Sequence, residues 1–230
     1  MHAVILAGGE GQRLRPYTAI LPKPLMPLHN QPILEIIVGQ LRDAGFDRFT
    51  FAVGYLAGLI QAYFADGNRF GVSIDYSLEE QSLGTAGPLS LLENLDDHFL
   101  VMNGDILTNL DYTKFMETHQ ASGALATLAV FEKEVPISLG VLDIDDDSNI
   151  VNYTEKPTLY YPVSTGIYCF RAEVLDHLEK GVHCDLPTLV TRLVAAGETV
   201  RAYRFDGLWL DIGRPEDYEI ALEEFDKGAL

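Results

Sequence analysis

LAGGEGQRLRPYTAILPKPLMP, residues 6–27, follows a short apolar run, Ala3-Val4-Ile5-Leu6, that reads as a buried strand. Gly8, Gly9 and Gly11 then let the backbone turn sharply and approach a ligand with no Cβ in the way. Arg13 and Arg15 come next, and Lys23 stands between Pro22 and Pro24. Backbone N–H groups, guanidinium and ammonium converging from one loop suit a polyanion such as a triphosphate. Read without its context, the same loop is a tight turn with two surface arginines. It is neither a P-loop, lacking the Gly-Lys-Ser/Thr ending, nor a dinucleotide fingerprint, because Leu14 stands where the third glycine belongs.

Outward from this loop, strand-like and helix-like segments alternate, the pattern of an α/β fold. Asn30-Gln31-Pro32 starts a helix that Gly45 ends, with Leu34, Ile37, Val38 and Leu41 as its apolar face. Strands are predicted at 49–53, 72–76, 99–102, 124–131 and 163–170, and helices at 57–64, 85–92, 111–121, 185–196 and 215–224. Tyr218, Ala221, Leu222 and Phe225 in the last helix share a packing face. The segments 140–144 and 150–153 flank Asp145-Asp146-Asp147-Ser148-Asn149, which reads as a hairpin tip and not a metal site, since Asp and Asn favour turns. The simplest organisation is one domain over 1–230, with a nucleotide-binding part at about 1–130 and a β-rich part at about 131–230.

Composition narrows the partners. The 34 acids against 16 Lys plus Arg give a net charge of −18, which argues against nucleic acid, because phosphate contacts need a basic surface. In so acidic a chain the Arg13, Arg15 and Lys23 cluster is a local exception. No apolar run approaches the roughly 18 residues of a membrane helix, and the N-terminus lacks a signal-peptide pattern; the expectation is a cytoplasmic protein with no membrane partner. Cys169 lies in an apolar run and reads as a small core residue; neither a zinc site nor a disulfide framework is indicated.

Asp105 ends the run Phe99–Met102, and Asp211 lies in LWLDIG. Aspartates just past buried strands sit where open α/β sheets place ligands. They either cap nearby turns or hold Mg²⁺, a hard ion that takes oxygens from protein and phosphate together. Glu155 and Lys156 alone read as a surface ion pair.

Together these segments resemble the sugar-1-phosphate nucleotidyltransferases, also called nucleoside-diphosphate-sugar pyrophosphorylases, and the resemblance runs along nearly the whole chain. It implies a Rossmann-like (GT-A-like) mixed, mostly parallel sheet between helices, with a smaller β-rich sugar-binding part. It also implies that the stretch Leu6, Ala7, Gly8, Gly9 and Gly11 wraps the nucleotide phosphates. Arg13 is then the triphosphate contact, and Lys23 stabilises the transition state. Arg15 lies one step past the most widely shared arginine position. The two aspartates, Asp105 and Asp211, match Mg²⁺ ligands, with Asp105 catalytic alongside Arg13 and Lys23. Lys156 matches the lysine for the sugar phosphate and Glu155 the carboxylate for sugar hydroxyls. Gly140 and Gly166 match glycines against which the sugar lies. Arg214 either touches product phosphates or lies on the surface.

Gly84-Thr85-Ala86-Gly87 resembles the base-reading segment of guanylyltransferases that make GDP-mannose and GDP-heptose. It implies nucleotide contacts at Gly84 and Thr85. Glu79 stands where uridylyl- and thymidylyl-transferring relatives commonly carry a glutamine. A carboxylate only accepts hydrogen bonds. Guanine offers two adjacent donors, whereas uracil offers one donor flanked by acceptors, which suits an amide. Facing a pyrimidine acceptor, Glu79 would cost on the order of 1–3 kcal/mol. The other reading of Glu79 is an exposed loop glutamate.

The expected reaction is transfer of a nucleoside monophosphate from GTP to a manno-configured hexose- or heptose-1-phosphate. Competing readings are a uridylyl- or thymidylyl-transferase, a GT-A-type glycosyltransferase, and a non-catalytic sugar-nucleotide sensor. The end at Leu230 predicts the short form of the family, acting as a monomer or homodimer.

Overall fold

The computed structural model describes residues 1–79 and 81–228, so Glu80 of the base-reading segment lies outside the described residues. The strands, in chain order, are β1 (His2–Ala7), β2 (Pro27–Leu28), β3 (Gln31–Pro32), β4 (Arg48–Val53), β5 (Ser73–Leu78), β6 (His98–Asn103) and β7 (Ile106–Thr108). They continue with β8 (Ala126–Pro136), β9 (Val141–Ile144), β10 (Ile150–Thr154), β11 (Thr158–Arg171), β12 (Val200–Arg204) and β13 (Trp209–Asp211). Helices are α1 (Ile33–Asp43), α2 (Ala57–Phe64), α3 (Tyr112–Ser122), α4 (Leu186–Ala195) and α5 (Pro215–Asp226).

A seven-stranded sheet runs in the order β12-β8-β11-β6-β1-β4-β5. Every neighbour pairing is parallel except the two made by β11. The expected mixed, mostly parallel sheet is therefore present. The chain leaves β1 toward β4 on one side and returns to β6 on the other, so strand order reverses beside β1. Ligands of open α/β sheets bind outside the carboxyl ends of strands at such a reversal.

Alternation along β1 sorts the core. Ala3, Ile5 and Ala7 join a cluster with α1, α2 and α3, whereas Val4 joins a second cluster with α4 on the opposite face. Leu34, Ile37, Val38 and Leu41 of α1 are buried as the periodicity predicts, each burial contributing about 1.5–3 kcal/mol before entropy is counted. Pro32 starts α1, and Gly45, at φ 90°, follows its end. Asp111 caps α3 by accepting the Lys114 N–H at 2.9 Å. In α5, Ala221 is buried while Tyr218, Leu222 and Phe225 pack partly buried against the first cluster. Cys169 and Cys184 are free and buried, and burial raises the Cys169 thiol pKa.

Three expectations are corrected. The helix at 85–92 is only a five-residue 3-10 turn, Gly87–Leu91. The N–H groups of Ala86 and Gly87 both go to the Cys184 carbonyl, Pro88 supplies no donor, and Leu92 is already extended. The strands predicted at 124–131 and 163–170 continue much further. Their outer parts pair from Val130 with Ser164 to Pro136 with Thr158 and project past the carboxyl edge of β6 as a two-stranded arm. Beyond these, two strands that the sequence did not suggest, β7 and β13 of three residues each, pair with one another, with Asp211 opposite Ile106.

The arm carries the β9–β10 hairpin, linked at its base by the Ile137 N–H donating to the Pro157 carbonyl at 2.9 Å. At the hairpin tip, Asp145 Oδ1 accepts the backbone N–H groups of Asp147 and Asn149, so the aspartate run makes a turn as expected.

Candidate active site

The carboxyl edge of β1, β5 and β6 gathers the predicted phosphate residues. Gly11 adopts a left-handed conformation, φ 61°, and a Cβ there would stand 2.9 Å from Thr18 Cγ2 and 3.2 Å from Lys23 Cβ. The loop folds around Thr18, which is fully buried and donates its hydroxyl to the Gly11 carbonyl at 2.8 Å. Leu14 anchors the other side in the core. Thr18 was not singled out from the sequence, although its spacing from Gly11 inside the opening motif was the available signal.

Lys23 is held by a short turn in which the N–H groups of Leu25 and Met26 go to the carbonyls of Pro22 and Lys23. Both prolines are buried, and Pro24 lies near Gly104 at the end of β6. This fixes a lysine that is only 7% exposed. Its ammonium donates to Asp105 Oδ2 and lies 4.0 Å from Asp211 Oδ1. A buried cation of this kind persists because it is paired.

The two aspartates meet through the β7–β13 pairing, reinforced by the Ile212 N–H donating to the Asp105 carbonyl at 3.1 Å. Burial and the Asp105 charge push the Asp211 carboxyl above its ordinary range, against the pull of Lys23 and Arg13. The Arg13 guanidinium lies beside Gly213, since a Cβ at that glycine would be 3.2 Å from both terminal nitrogens. Two cations and two carboxylates therefore share one edge. Asp105 Oδ1 is buried with no hydrogen-bond partner, and buried polar atoms normally have one. Among the described residues, no group of three or more His, Cys, Asp or Glu could hold a metal. The pair still fits Mg²⁺, which is usually held by one or two carboxylates with phosphate and water oxygens completing the set. Arg15 points elsewhere, 3.8 Å from Glu10. Arg214 is exposed at the start of α5, where Asp217 accepts its backbone N–H at 2.8 Å.

Glu79 sits at the end of β5 against Gly8: a Cβ on Gly8 would be 2.8 Å from Glu79 Oε1. Its other oxygen accepts the Leu83 N–H at 3.0 Å, and burial raises its pKa. The carboxylate is therefore part of the phosphate edge and not a free loop glutamate. Thr85 is tied to the start of α4. Its N–H goes to Asp185 Oδ1 at 3.1 Å, and its hydroxyl accepts the Leu186 N–H at 2.8 Å. A Cβ on Gly84 would collide with the Cys184 carbonyl at 2.6 Å. Gly84 and Thr85 clasp the start of α4 and so hold the Glu79 loop in place.

The sugar-side residues form two groups. Gly166, φ 77°, lies in an irregular stretch of β11, and a Cβ there would stand 2.8 Å from Asn103 Nδ2, two residues before Asp105. Glu155, Lys156 and Gly140 lie on the hairpin. Lys156 Nζ is 3.8 Å from Glu155 Oε1, and both side chains are exposed. Among the described residues, no hydrogen bond or ion pair joins this group to Asp105 or Asp211. The group stands on the arm that projects past the same sheet edge.

A reversal-point α/β sheet with a glycine loop, a buried lysine and paired aspartates at its carboxyl edge defines a phosphate-handling class of protein. The sequence profile described as Nucleotidyl transferase matches residues 2–227, and the chain belongs to that family. It is 39% identical to the UTP--glucose-1-phosphate uridylyltransferase of Synechocystis sp., over 95% of this chain and 61% of that protein. It is 35% identical to the mannose-1-phosphate guanylyltransferase catalytic subunit beta of Drosophila pseudoobscura pseudoobscura, over 94% of this chain and 60% of the relative. The chain thus spans about 60% of the length of these curated relatives. Among solved structures, HddC from Yersinia pseudotuberculosis complexed with GMP-PN superposes with a TM-score of 0.74 at 27% identity, covering 97% of this chain and 99% of that one. A putative glucose-1-phosphate thymidylyltransferase from Bacillus anthracis gives 0.79 at 25% identity, covering 97% and 94%. The family expectation is borne out. No described helix is long and apolar enough to cross a membrane.

Proposed function

We propose that this chain is a sugar-1-phosphate nucleotidyltransferase that transfers guanylate from GTP to a manno-configured hexose- or heptose-1-phosphate. The observation that carries the reaction class is Lys23, buried against Asp105 and beside Asp211, with Arg13 across the same edge. A sugar-phosphate oxygen attacks the α-phosphorus, the bond from that phosphorus to the bridging oxygen of the β-phosphate breaks, and pyrophosphate leaves. The nucleophile is already anionic, so no general base is required. The task is to hold two anions in line, and positioned positive charge does this. Arg13 and the Gly8–Gly11 backbone bind the triphosphate, Lys23 meets the charge that grows at the α-phosphate, and Lys156 brings in the sugar phosphate. Asp105 and Asp211 would hold Mg²⁺, which supplies neutralisation of phosphate charge when bound. In this reading residues 1–130 handle the nucleotide and 131–230 the sugar phosphate.

Guanine is supported by Glu79, a carboxylate at the phosphate edge with Oε1 left free by Leu83. The HddC complex with GMP-PN and the mannose-1-phosphate guanylyltransferase relatives point the same way. A second reading, uridylyl transfer, is favoured by the 39% identity to the Synechocystis uridylyltransferase. Pyrophosphate release with each of five nucleoside triphosphates, on mannose-, heptose- and glucose-1-phosphate, separates them. A GTP preference supports the first reading, and a UTP preference overturns it.

A further inference from the structure

The hairpin holds an arrangement that the sugar-phosphate residues alone do not explain. Gly140 was expected to leave room for the sugar, yet its space is occupied by Tyr153. A Cβ on Gly140 would overlap the Tyr153 hydroxyl and the ring carbon that bears it. That hydroxyl donates to Glu155 Oε2 at 2.9 Å. Tyr153 stands opposite Leu142 in the β9–β10 ladder, so its ring reaches back across the hairpin to Gly140. Tyr153 and Glu155 are two residues apart. Glu155 lies just past the end of β10, close enough for the tyrosine hydroxyl to reach it. The next residue, Lys156, has φ 46° although a proline follows. Residues before proline favour extended backbone, and a non-glycine residue in the left-handed region is strained. Such strain persists where neighbouring contacts hold it in place.

We propose that Tyr153 is a positioning residue for sugar recognition: it fixes the Glu155 carboxylate through Oε2, leaves Oε1, 3.8 Å from the Lys156 ammonium, to accept from sugar hydroxyls, and makes Gly140 obligatory. This rests on the reading of Glu155 as a sugar ligand. Glu155 is solvent-exposed, and a free glutamate samples many rotamers, so an anchored one loses less entropy when a sugar binds. The tyrosine hydroxyl faces the carboxylate and not the nucleotide edge, so its effect belongs to one substrate only.

Steady-state kinetics on the full chain, with each substrate varied in turn, tests this. Tyr153→Phe removes the hydroxyl and keeps the ring. Its KM for the sugar-1-phosphate should rise about five- to tenfold, the scale of one ordinary solvent-exposed hydrogen bond, with kcat and the triphosphate KM changed less than about twofold. Gly140→Ala should raise the same KM. Combined with Tyr153→Ala, which empties the space, it should add almost nothing further. Glu155→Ala separates the two levels. If it leaves the sugar KM unchanged, the reading of Glu155 fails. If it raises that KM while Tyr153→Phe matches wild type, or if Gly140→Ala costs as much with Tyr153→Ala as without, the positioning role of Tyr153 is overturned. Equal rises in both substrate KM values, with a lower unfolding midpoint, would mark a purely structural tyrosine and also overturn it.

Discussion

Lys23 and Lys156 are the same side chain in two different settings. Lys23 has 9% of its side chain exposed, is clamped between buried prolines, and rests on Asp105 just past a strand whose central residues are buried. Lys156 has 68% exposed, sits on a hairpin that is almost wholly solvated, and among the described residues has only the Glu155 carboxylate as an ion-pair partner, at 3.8 Å. The first is fixed before any substrate arrives. The second stands in open solvent, where nothing fixes its side chain in advance. The contrast teaches a division of labour. In the proposed reaction the sheet edge would supply the charge arrangement and the arm would choose what reacts there.

The largest effect should come from the rigid side. Lys23→Met should lower kcat by roughly 10²–10³-fold, the scale seen when one preorganised charge-stabilising donor is removed. Circular dichroism should show the sheet intact. Turnover within tenfold of wild type would break the comparison at its stronger end. Glu79→Gln replaces an acceptor with a group that also donates. The ratio of kcat/KM for GTP over UTP should fall about tenfold, from a mismatch of 1–3 kcal/mol; an unchanged ratio would remove Glu79 from base selection. On the soft side, Lys156→Ala should raise the sugar-1-phosphate KM about fivefold, in keeping with a solvent-screened charge. Its kcat should stay near wild type, and a kcat collapse like that of Lys23→Met would erase the distinction.

Acid should weaken the sheet region. Burial lowers the pKa of His2 and His119 to about 4, from an unfolded value near 6.5. Between those values the unfolded chain binds more protons than the folded one. The stability these neutral histidines supply is therefore present above pH 6.5 and lost as pH falls through 4. The loss is on the order of 3 kcal/mol per histidine at most. Urea midpoints should decline over that window, and a flat profile would contradict the burial argument.

Much of the phosphate edge was legible in the sequence because its residues are close in the chain and carry their own conformational signals. The apolar run of β1, the glycines and the proline-flanked Lys23 announce a strand, a turn and a fixed cation. The apolar periodicity of α1 was equally plain. The meeting of Asp105 with Asp211 was expected from the family resemblance, but the two three-residue strands that bring it about are too short to show a period. The clasp of Thr85 on Asp185 and the filling of Gly140 by Tyr153 are tertiary contacts with no local signature. The arm was under-read because its strands are solvated on both faces, which removes the alternation that marks a half-buried strand. The exposed β9–β10 hairpin was still legible from its turn residues, whereas the long solvated strands that carry it were not.

The central claim is that the sheet edge transfers a nucleotide to a sugar phosphate. The most direct measurement is ³¹P NMR of the purified chain with GTP, Mg²⁺ and a mixture of mannose-1-phosphate, a manno-configured heptose-1-phosphate and glucose-1-phosphate. The account predicts that a sugar-phosphate signal is consumed while nucleotide-sugar diphosphate and pyrophosphate appear in equal amounts. It also predicts that Asp105→Asn abolishes both. Release of inorganic phosphate without pyrophosphate, or a spectrum unchanged with GTP and with every other triphosphate, would contradict it.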